Sequence, residues 1–250
     1  MIYKKSPGEI EIMRRAGDIL AATLDRLEAE LRPGITTMEL DEIAEESITS
    51  AGAKPSFKGY RGFPASICTS ANEVIVHGIP GPLALKDGDV VSIDVGVYYE
   101  GFHADSAWTF PVGEVSGEVM DLLKATESSL WTAIEQCKPG NRVGDIGHAV
   151  ESSIRPHGYG VVREYVGHGV GRALHEEPQI PNYGPPGRRE VLSAGMTLAV
   201  EPMINLGGPE TEALDDGWTV VTADRSVSAH FEHTVAIVPE GHEVLTRRGG

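Results

Sequence analysis

Ser92-Ile93-Asp94-Val95-Gly96-Val97-Tyr98-Tyr99-Glu100-Gly101-Phe102-His103-Ala104-Asp105 carries the pattern on which the fold turns. An apolar run enters it from Asp89-Val90-Val91, and Ala107-Trp108-Thr109-Phe110 continues beyond it. Two β-rich segments around Glu100-Gly101 read as a β-hairpin, with Gly supplying the positive φ of a tight turn. Folding there sets Asp94 opposite Ala107 and one diagonal step from Asp105. Alternation along each strand then places both carboxylates on one face. A single Asp in this setting reads as part of a solvated acidic turn. Two so close repel unless a positive group lies between them. Flanked by Ile93, Val95, Val97 and Trp108, they point to a buried cation.

Around this hairpin lie 250 residues, 40% of them hydrophobic, enough for a buried core in one large domain or two small ones. The net charge of −16 argues against a nucleic-acid or anionic-membrane surface as the main role. Cys68 and Cys137 are the only cysteines, which suits a reducing compartment rather than a disulfide scaffold. Met1-Ile2-Tyr3-Lys4-Lys5 leads into a charged amphipathic segment, not a signal peptide. No apolar run approaches the ~18–20 residues of a spanning helix. A soluble cytoplasmic protein is the expectation.

Ser6-Pro7-Gly8-Glu9 and Thr36-Thr37-Met38-Glu39 are capping boxes. They open a helix ending at Pro33-Gly34 and a second ending near Gly52. Strands are predicted at Ser66–Ser70 and Val74–His77, ahead of the hairpin. A second helical pair is predicted from Ser116 to about Lys138 and from Val143 to about Arg155. Further strands are predicted at Val161–Val166, Met196–Ile204, Trp218–Ala223, Ala229–Val238 and His242–Leu245.

The two halves repeat. A shift of 106 residues takes Pro33-Gly34 to Pro139-Gly140, Leu40 to Ile146, Ser47-Ile48 to Ser153-Ile154 and Gly52 to Gly158. Chance matching of two Pro-Gly helix stops does not explain so many aligned positions. The expectation is a single α+β domain, 1–250, with pseudo-symmetric halves of about 5–110 and 111–247. Helices would lie on the outer side of a curved antiparallel sheet, with a ligand site where the halves meet.

The same shift takes Asp94 near Val200, next to Glu201 in Leu198-Ala199-Val200-Glu201-Pro202. Ala229-His230-Phe231-Glu232-His233-Thr234 offers Glu232 as the mate of Asp105, with an insertion between them. Four carboxylates on facing strands suit two divalent ions. His168, between glycines, and His175 add imidazole. A lone strand-end histidine is more often structural, but these two accompany four inward acids. Mixed N/O ligation points to Mn, Fe, Co or Zn more than to Mg or Ca.

Several of these motifs occur together in one known family. They are Asn72-Glu73-Val74-Ile75-Val76-His77-Gly78-Ile79-Pro80, Asp94 with Asp105, His168-Gly169-Val170-Gly171-Arg172-Ala173-Leu174-His175-Glu176-Glu177-Pro178, Glu201-Pro202 and Glu232-His233-Thr234. From about residue 3 to 247 the chain resembles the type I methionine aminopeptidases of the pita-bread metallopeptidase group. The resemblance implies two divalent metal ions. Asp94 would chelate one, Asp105 and Glu232 would bridge both, and His168 with Glu201 would complete the other. A hydroxide between the ions would attack the first peptide bond. Glu201 would also shuttle a proton, His175 would stabilise the oxyanion, and His77 would hydrogen-bond the substrate near the scissile amide. Tyr60, Phe63, Cys68, Leu174 and Trp218, with His77 and His175, fall at positions of the methionine pocket. Leu174 departs from the family's frequent aromatic. Only 30 residues separate Glu201 from Glu232, too few for the helical insertion of the type II enzymes.

The activity so implied is removal of the initiator methionine from a peptide or nascent-chain N-terminus, with a small second residue preferred. The expected setting is a cytoplasmic monomer that touches a ribosome at most transiently, with no direct nucleic-acid binding and no membrane. One alternative is a proline-directed peptidase of the same fold, whose members usually carry an additional N-terminal domain. Another is a non-catalytic pita-bread binding module, whose members typically lose metal ligands that this chain keeps.

Overall fold

Both N-terminal helices begin where their capping residues stand. In the computed structural model, which describes residues 1–249, α1 runs Pro7–Glu30 and α2 Thr37–Ser50. The Ser6 hydroxyl accepts from the Glu9 N–H, and Glu9 accepts in return from the Ser6 N–H at 2.7 Å. Thr36 and Glu39 make the same exchange. These bonds satisfy N–H groups that a first helical turn leaves open.

Strands β1 (Lys54–Pro55), β2 (Ile67–Ala71), β3 (Val74–Val76), β4 (Val90–Tyr99) and β5 (Phe102–Pro111) follow. β4 and β5 form the predicted hairpin in the predicted register, Asp94 opposite Ala107 and Gly96 opposite Asp105. Glu100 and Gly101 both have positive φ, 46° and 93°. That is the requirement of a two-residue turn whose twist matches its strands. Leu20, Leu24, Leu40 and Ile48 of the two helices pack on Val91, Ile93 and Val95 of β4 in one apolar core. Burying side chains of this size stabilises by roughly 1.5–3 kcal/mol each.

The second helical pair is α3 (Gly117–Ile134) and α4 (Val143–Ile154). α3 ends before the predicted Lys138. Gln136 and Cys137 donate to Ala133 and Ile134, so the chain tightens into a narrower turn. Lys138 precedes Pro139 and is held out of the helical region. Ten short strands complete the described chain: β6 (Gly160–Val161), β7 (Gly167–Gly169), β8 (Glu176–Ile180), β9 (Thr197–Val200), β10 (Met203–Asn205), β11 (Thr211–Ala213), β12 (Val220–Thr222), β13 (Ser228–His230), β14 (His233–Val238) and β15 (Gly241–Val244). Leu130, Ile134, Ile146 and Val150 of the helices share a core with Leu198, Val200 and Val235.

Two predicted strands are each broken in two. Met196–Ile204 divides at Glu201-Pro202, and Ala229–Val238 divides at Phe231-Glu232. Pro202 lacks the N–H that a ladder requires. The breaks face each other, since Val200 pairs with His233 and Met203 with His230. On one side, β9 and β14 belong to the sheet β15-β14-β9-β7-β8; on the other, β10 and β13 belong to β13-β10-β6. The strand predicted at 161–166 is confined to β6, because its partner β10 pairs with it at Ile204 and Asn205 alone. β5, β1 and β2 flank or pair with β4, and β11-β12-β3 forms a further sheet. All these pairings are antiparallel.

Corresponding positions of the two halves carry corresponding bonds. Gly34, with φ 94°, donates to the Leu85 carbonyl at 2.7 Å; Gly140, with φ 93°, donates to that of Leu192 at 3.0 Å. Leu85 and Leu192 are 107 residues apart, so the shift has grown by one before the strands that lead to Asp94 and Glu201 begin. That drift carries Asp94 onto Glu201 itself, where the uniform shift lands on Val200. Among the described residues no helix is long and apolar enough to cross a membrane.

Candidate metal centre and substrate cavity

The hairpin and the broken strands meet at one place. Asp105 is held on β5 by a reciprocal pair with Thr234 of β14. Its N–H donates to Thr234 Oγ1 at 2.9 Å, and that hydroxyl donates to its carbonyl at 2.7 Å. The Glu232 N–H donates to the Ala107 carbonyl at 2.8 Å, and Ser106 Oγ donates to the Glu232 carbonyl. Main-chain bonds therefore clamp Glu232, at its break in the ladder, beside the two aspartates. The opposite break turns Glu201 toward the same point.

His168 approaches from β7. A Cβ on Gly167 would stand 2.4 Å from the Ala199 carbonyl oxygen, and one on Gly169 2.3 Å from that of Glu177. The glycines flanking His168 thus admit neighbouring strands. His168 Nδ1 bonds to the Gly169 carbonyl at 2.8 Å, which fixes Nε2 as the nitrogen facing the acids. Nε2 lies 3.7 Å from Asp105 Oδ2 and 3.6 Å from Glu201 Oε1. Asp105, His168 and Glu232 each offer a ligand atom within 4.8 Å of the others.

The electrostatics of this cluster are strained. Burial pushes the Asp94 carboxyl up to about 7. Burial, reinforced by mutual repulsion, raises Asp105, Glu201 and Glu232 well above the usual carboxylate range. Burial lowers His168 to about 4, so its imidazole is neutral. Asp94 Oδ1, Asp105 Oδ1 and Glu232 Oε1 are buried without a hydrogen-bond partner. Buried carboxylates are tolerated when paired or bound to a cation. The ligand-to-ligand gaps exceed a hydrogen bond. They match the roughly 3–4 Å expected between two donors that each bind one ion at about 2.0–2.2 Å. Orphaned oxygens, a neutral imidazole and this spacing fit divalent metal.

A cavity of about 200 Å³ opens onto the cluster. Phe63, Cys68, Leu174 and Trp218 belong to one apolar group with Tyr60 and Phe57. Phe63 meets Trp218 edge-on at 5.1 Å. His77, at the end of β3, sits edge-on to Tyr165 and Trp218. Its φ of 60° is a left-handed conformation uncommon for a side-chain-bearing residue. His175 Nδ1 bonds to Tyr60 Oη at 2.9 Å, and its ring lies 4.2 Å from that of His168. Burial, then the neighbouring His168 and Arg61, lowers His175 to about 3; burial also lowers His77. Both rings are neutral near pH 7.

All twelve residues singled out from the sequence line this cavity: Tyr60, Phe63, Cys68, His77, Asp94, Asp105, His168, Leu174, His175, Glu201, Trp218 and Glu232. Phe57, Arg61, Val76, Tyr165 and Val166 line it as well and were not singled out. His230 is a further omission: its Nε2 lies 3.7 Å from Glu201 Oε2. It stands two residues from Glu232, so strand alternation held the signal that could have found it.

Comparison with known proteins agrees with this geometry. The sequence matches the model of metallopeptidase family M24 over residues 11–239. A methionine aminopeptidase of Clostridium perfringens is 54% identical over 246 residues, 98% of this chain and 99% of that protein. The crystal structure of a methionine aminopeptidase from Thermotoga maritima matches with a TM-score of 0.97 and 45% identity, covering 99% of this chain and 100% of that one. A prolidase from Pyrococcus furiosus matches at 0.81 and 24% identity, with 99% of this chain spanning 66% of it. That last likeness shows the shared pita-bread fold alone. A full-length match at this identity, together with the acid cluster, places the chain in metallopeptidase family M24, among its methionine aminopeptidases.

Proposed function

We propose that the chain is a metal-dependent aminopeptidase that removes the initiator methionine from peptides and nascent proteins and prefers a small second residue. One observation carries the reading: a cavity with an aromatic and sulfur-lined wall ends at four buried carboxylates and an imidazole. The acids attract a free α-amine, and the wall accepts a flexible thioether beside it. Asp94 would hold one ion, Asp105 and Glu232 both, and His168 with Glu201 the other. Two ions of Mn, Fe, Co or Zn suit these mixed donors. When bound, they supply a water whose pKa is brought toward neutrality and polarise the scissile carbonyl.

The chain's own side chains do the rest. His175, oriented by Tyr60, donates to the oxygen on which charge develops. His77 hydrogen-bonds the substrate near the scissile amide. Glu201 takes a proton from the attacking water and returns it to the leaving amine. Residues 1–250 act as one catalytic domain, its halves of about 5–110 and 111–247 meeting at the ions. The protein works as a cytoplasmic monomer with transient ribosome association. It makes no direct contact with nucleic acid, which a net charge of −16 opposes.

The test is cleavage of Met-Ala-Ser against Xaa-Pro peptides by the metal-loaded protein. Free Met from the first, with the second intact, is the expected result. Proline products without free Met would assign a proline-directed peptidase. No divalent binding by chelator-stripped protein would leave a non-catalytic binding module.

A further inference from the structure

His230 stands outside the five residues assigned to the ions, yet it reaches the same place. It ends β13 and is 2% exposed. Its N–H donates to Thr109 Oγ1, and its carbonyl accepts from the same hydroxyl, both at 2.8 Å. The backbone is thus pinned to β5, and the ring is aimed by its position rather than by a side-chain bond. Nε2 is buried and has no hydrogen-bond partner. It lies 3.7 Å from Glu201 Oε2 and 3.9 Å from Glu232 Oε2, too far for a hydrogen bond to either. His168 stands in the same relation to the other oxygen of Glu201, at 3.6 Å, and to Asp105, at 3.7 Å. Each oxygen of Glu201 therefore faces one imidazole nitrogen, at the separation of two donors sharing an ion. An imidazole nitrogen buried without a partner is costly, and a ligand bond removes that cost.

We propose that His230 Nε2 is a further ligand of the ion held by His168 and Glu201, which gives that ion two imidazoles. The proposal rests on the dinuclear reading above. It widens the chemical difference between the two metal positions. One is served by oxygens alone, from Asp94, Asp105 and Glu232. The other, with two nitrogen donors, takes Zn, Co or Fe ahead of Mn or Mg.

The experiment uses the full chain loaded with Co(II). Proton NMR counts the paramagnetically shifted, solvent-exchangeable imidazole N–H signals, and calorimetry measures uptake of the same ion. Two signals are expected in the wild type and one in His230→Gln. The tighter Co(II) step of that variant should weaken at least about tenfold. A single signal in a wild type that still takes up two ions would overturn the role of His230 alone. Two signals with unchanged affinity in His230→Gln would overturn it too. Uptake of fewer than two ions by the wild type would overturn both this proposal and the dinuclear reading.

Discussion

Four carboxylates packed against one another oppose folding until a cation joins them, and single substitutions expose that conflict. Glu232 is tied to Ala107 and Ser106 through its backbone, so Glu232→Gln keeps the clamp and removes one charge. Turnover is expected to fall by more than about 100-fold, beyond what an outer partner of a metal ligand contributes. The metal-free variant is expected to melt no lower than metal-free wild type, because mutual repulsion is relieved. Calorimetric melting of both proteins in chelator checks this, and a lower melting temperature for the variant would contradict the site model. In the proposed mechanism His175 donates to the developing oxyanion, so His175→Ala is expected to lower kcat by about 10²–10³-fold. Tyr60→Phe keeps the imidazole and loses only the bond that steers it. A smaller fall, on the order of tenfold, is expected there. Steady-state kinetics on one peptide separates the two, and equal losses would deny Tyr60 a merely orienting role.

At the scale of elements, α1 braces the hairpin that carries Asp94 and Asp105, and its start depends on Glu9. The Ser6 N–H, then the Ser6 hydroxyl and Arg172, hold the Glu9 carboxyl below its ordinary value of 4.5. A carboxylate whose pKa is depressed on folding stabilises fully above its unfolded pKa and loses that contribution as pH falls through the folded one. Glu9→Gln is therefore expected to lower the urea midpoint at pH 7. The deficit should shrink progressively below pH 4.5. A deficit that persists undiminished at pH 3 would show that Glu9 acts by packing rather than by charge. The broken strands make a second point. Continuous strands through Glu201 and Glu232 would alternate past the cluster; the paired breaks instead let both acids face it while β9 and β14 continue in one sheet.

For the molecule as a whole, the proposed metal centre would join the halves. Asp94 and Asp105 come from the first, and His168, Glu201 and Glu232 from the second. Divalent ion should therefore bind the folded state and not the separated halves. At a hundredfold excess over Kd this adds about 2.7 kcal/mol to stability. Melting with Mn(II) or Co(II) is expected to occur several degrees above melting in chelator. An unchanged melting temperature despite measured uptake would mean that the ions do not bridge the halves.

The sequence by itself determined what is local or repeated. Capping boxes at Ser6 and Thr36 act over three residues, so both helix starts were legible. The two-residue turn at Glu100-Gly101 set the hairpin register and, with it, the shared face of Asp94 and Asp105. The repeat of helix stops led to Glu201 within one residue and to Glu232 across an insertion. Recurring motifs then pointed to the candidate ligands and to residues that line the cavity. Tertiary structure decided what depends on partners distant in the chain. The breaks at Glu201-Pro202 and Phe231-Glu232 arise because two strand pairs leave one sheet for another, and no local preference of Phe231 signals that change. The brief β6, β8 and β11 exist through their neighbours rather than their own residues. Alternation from Glu232 could have put His230 on the same face, but only the fold shows its nitrogen buried between two carboxylates. Local propensity acts over a few residues, whereas burial and unpaired charge are settled when distant segments close on one another.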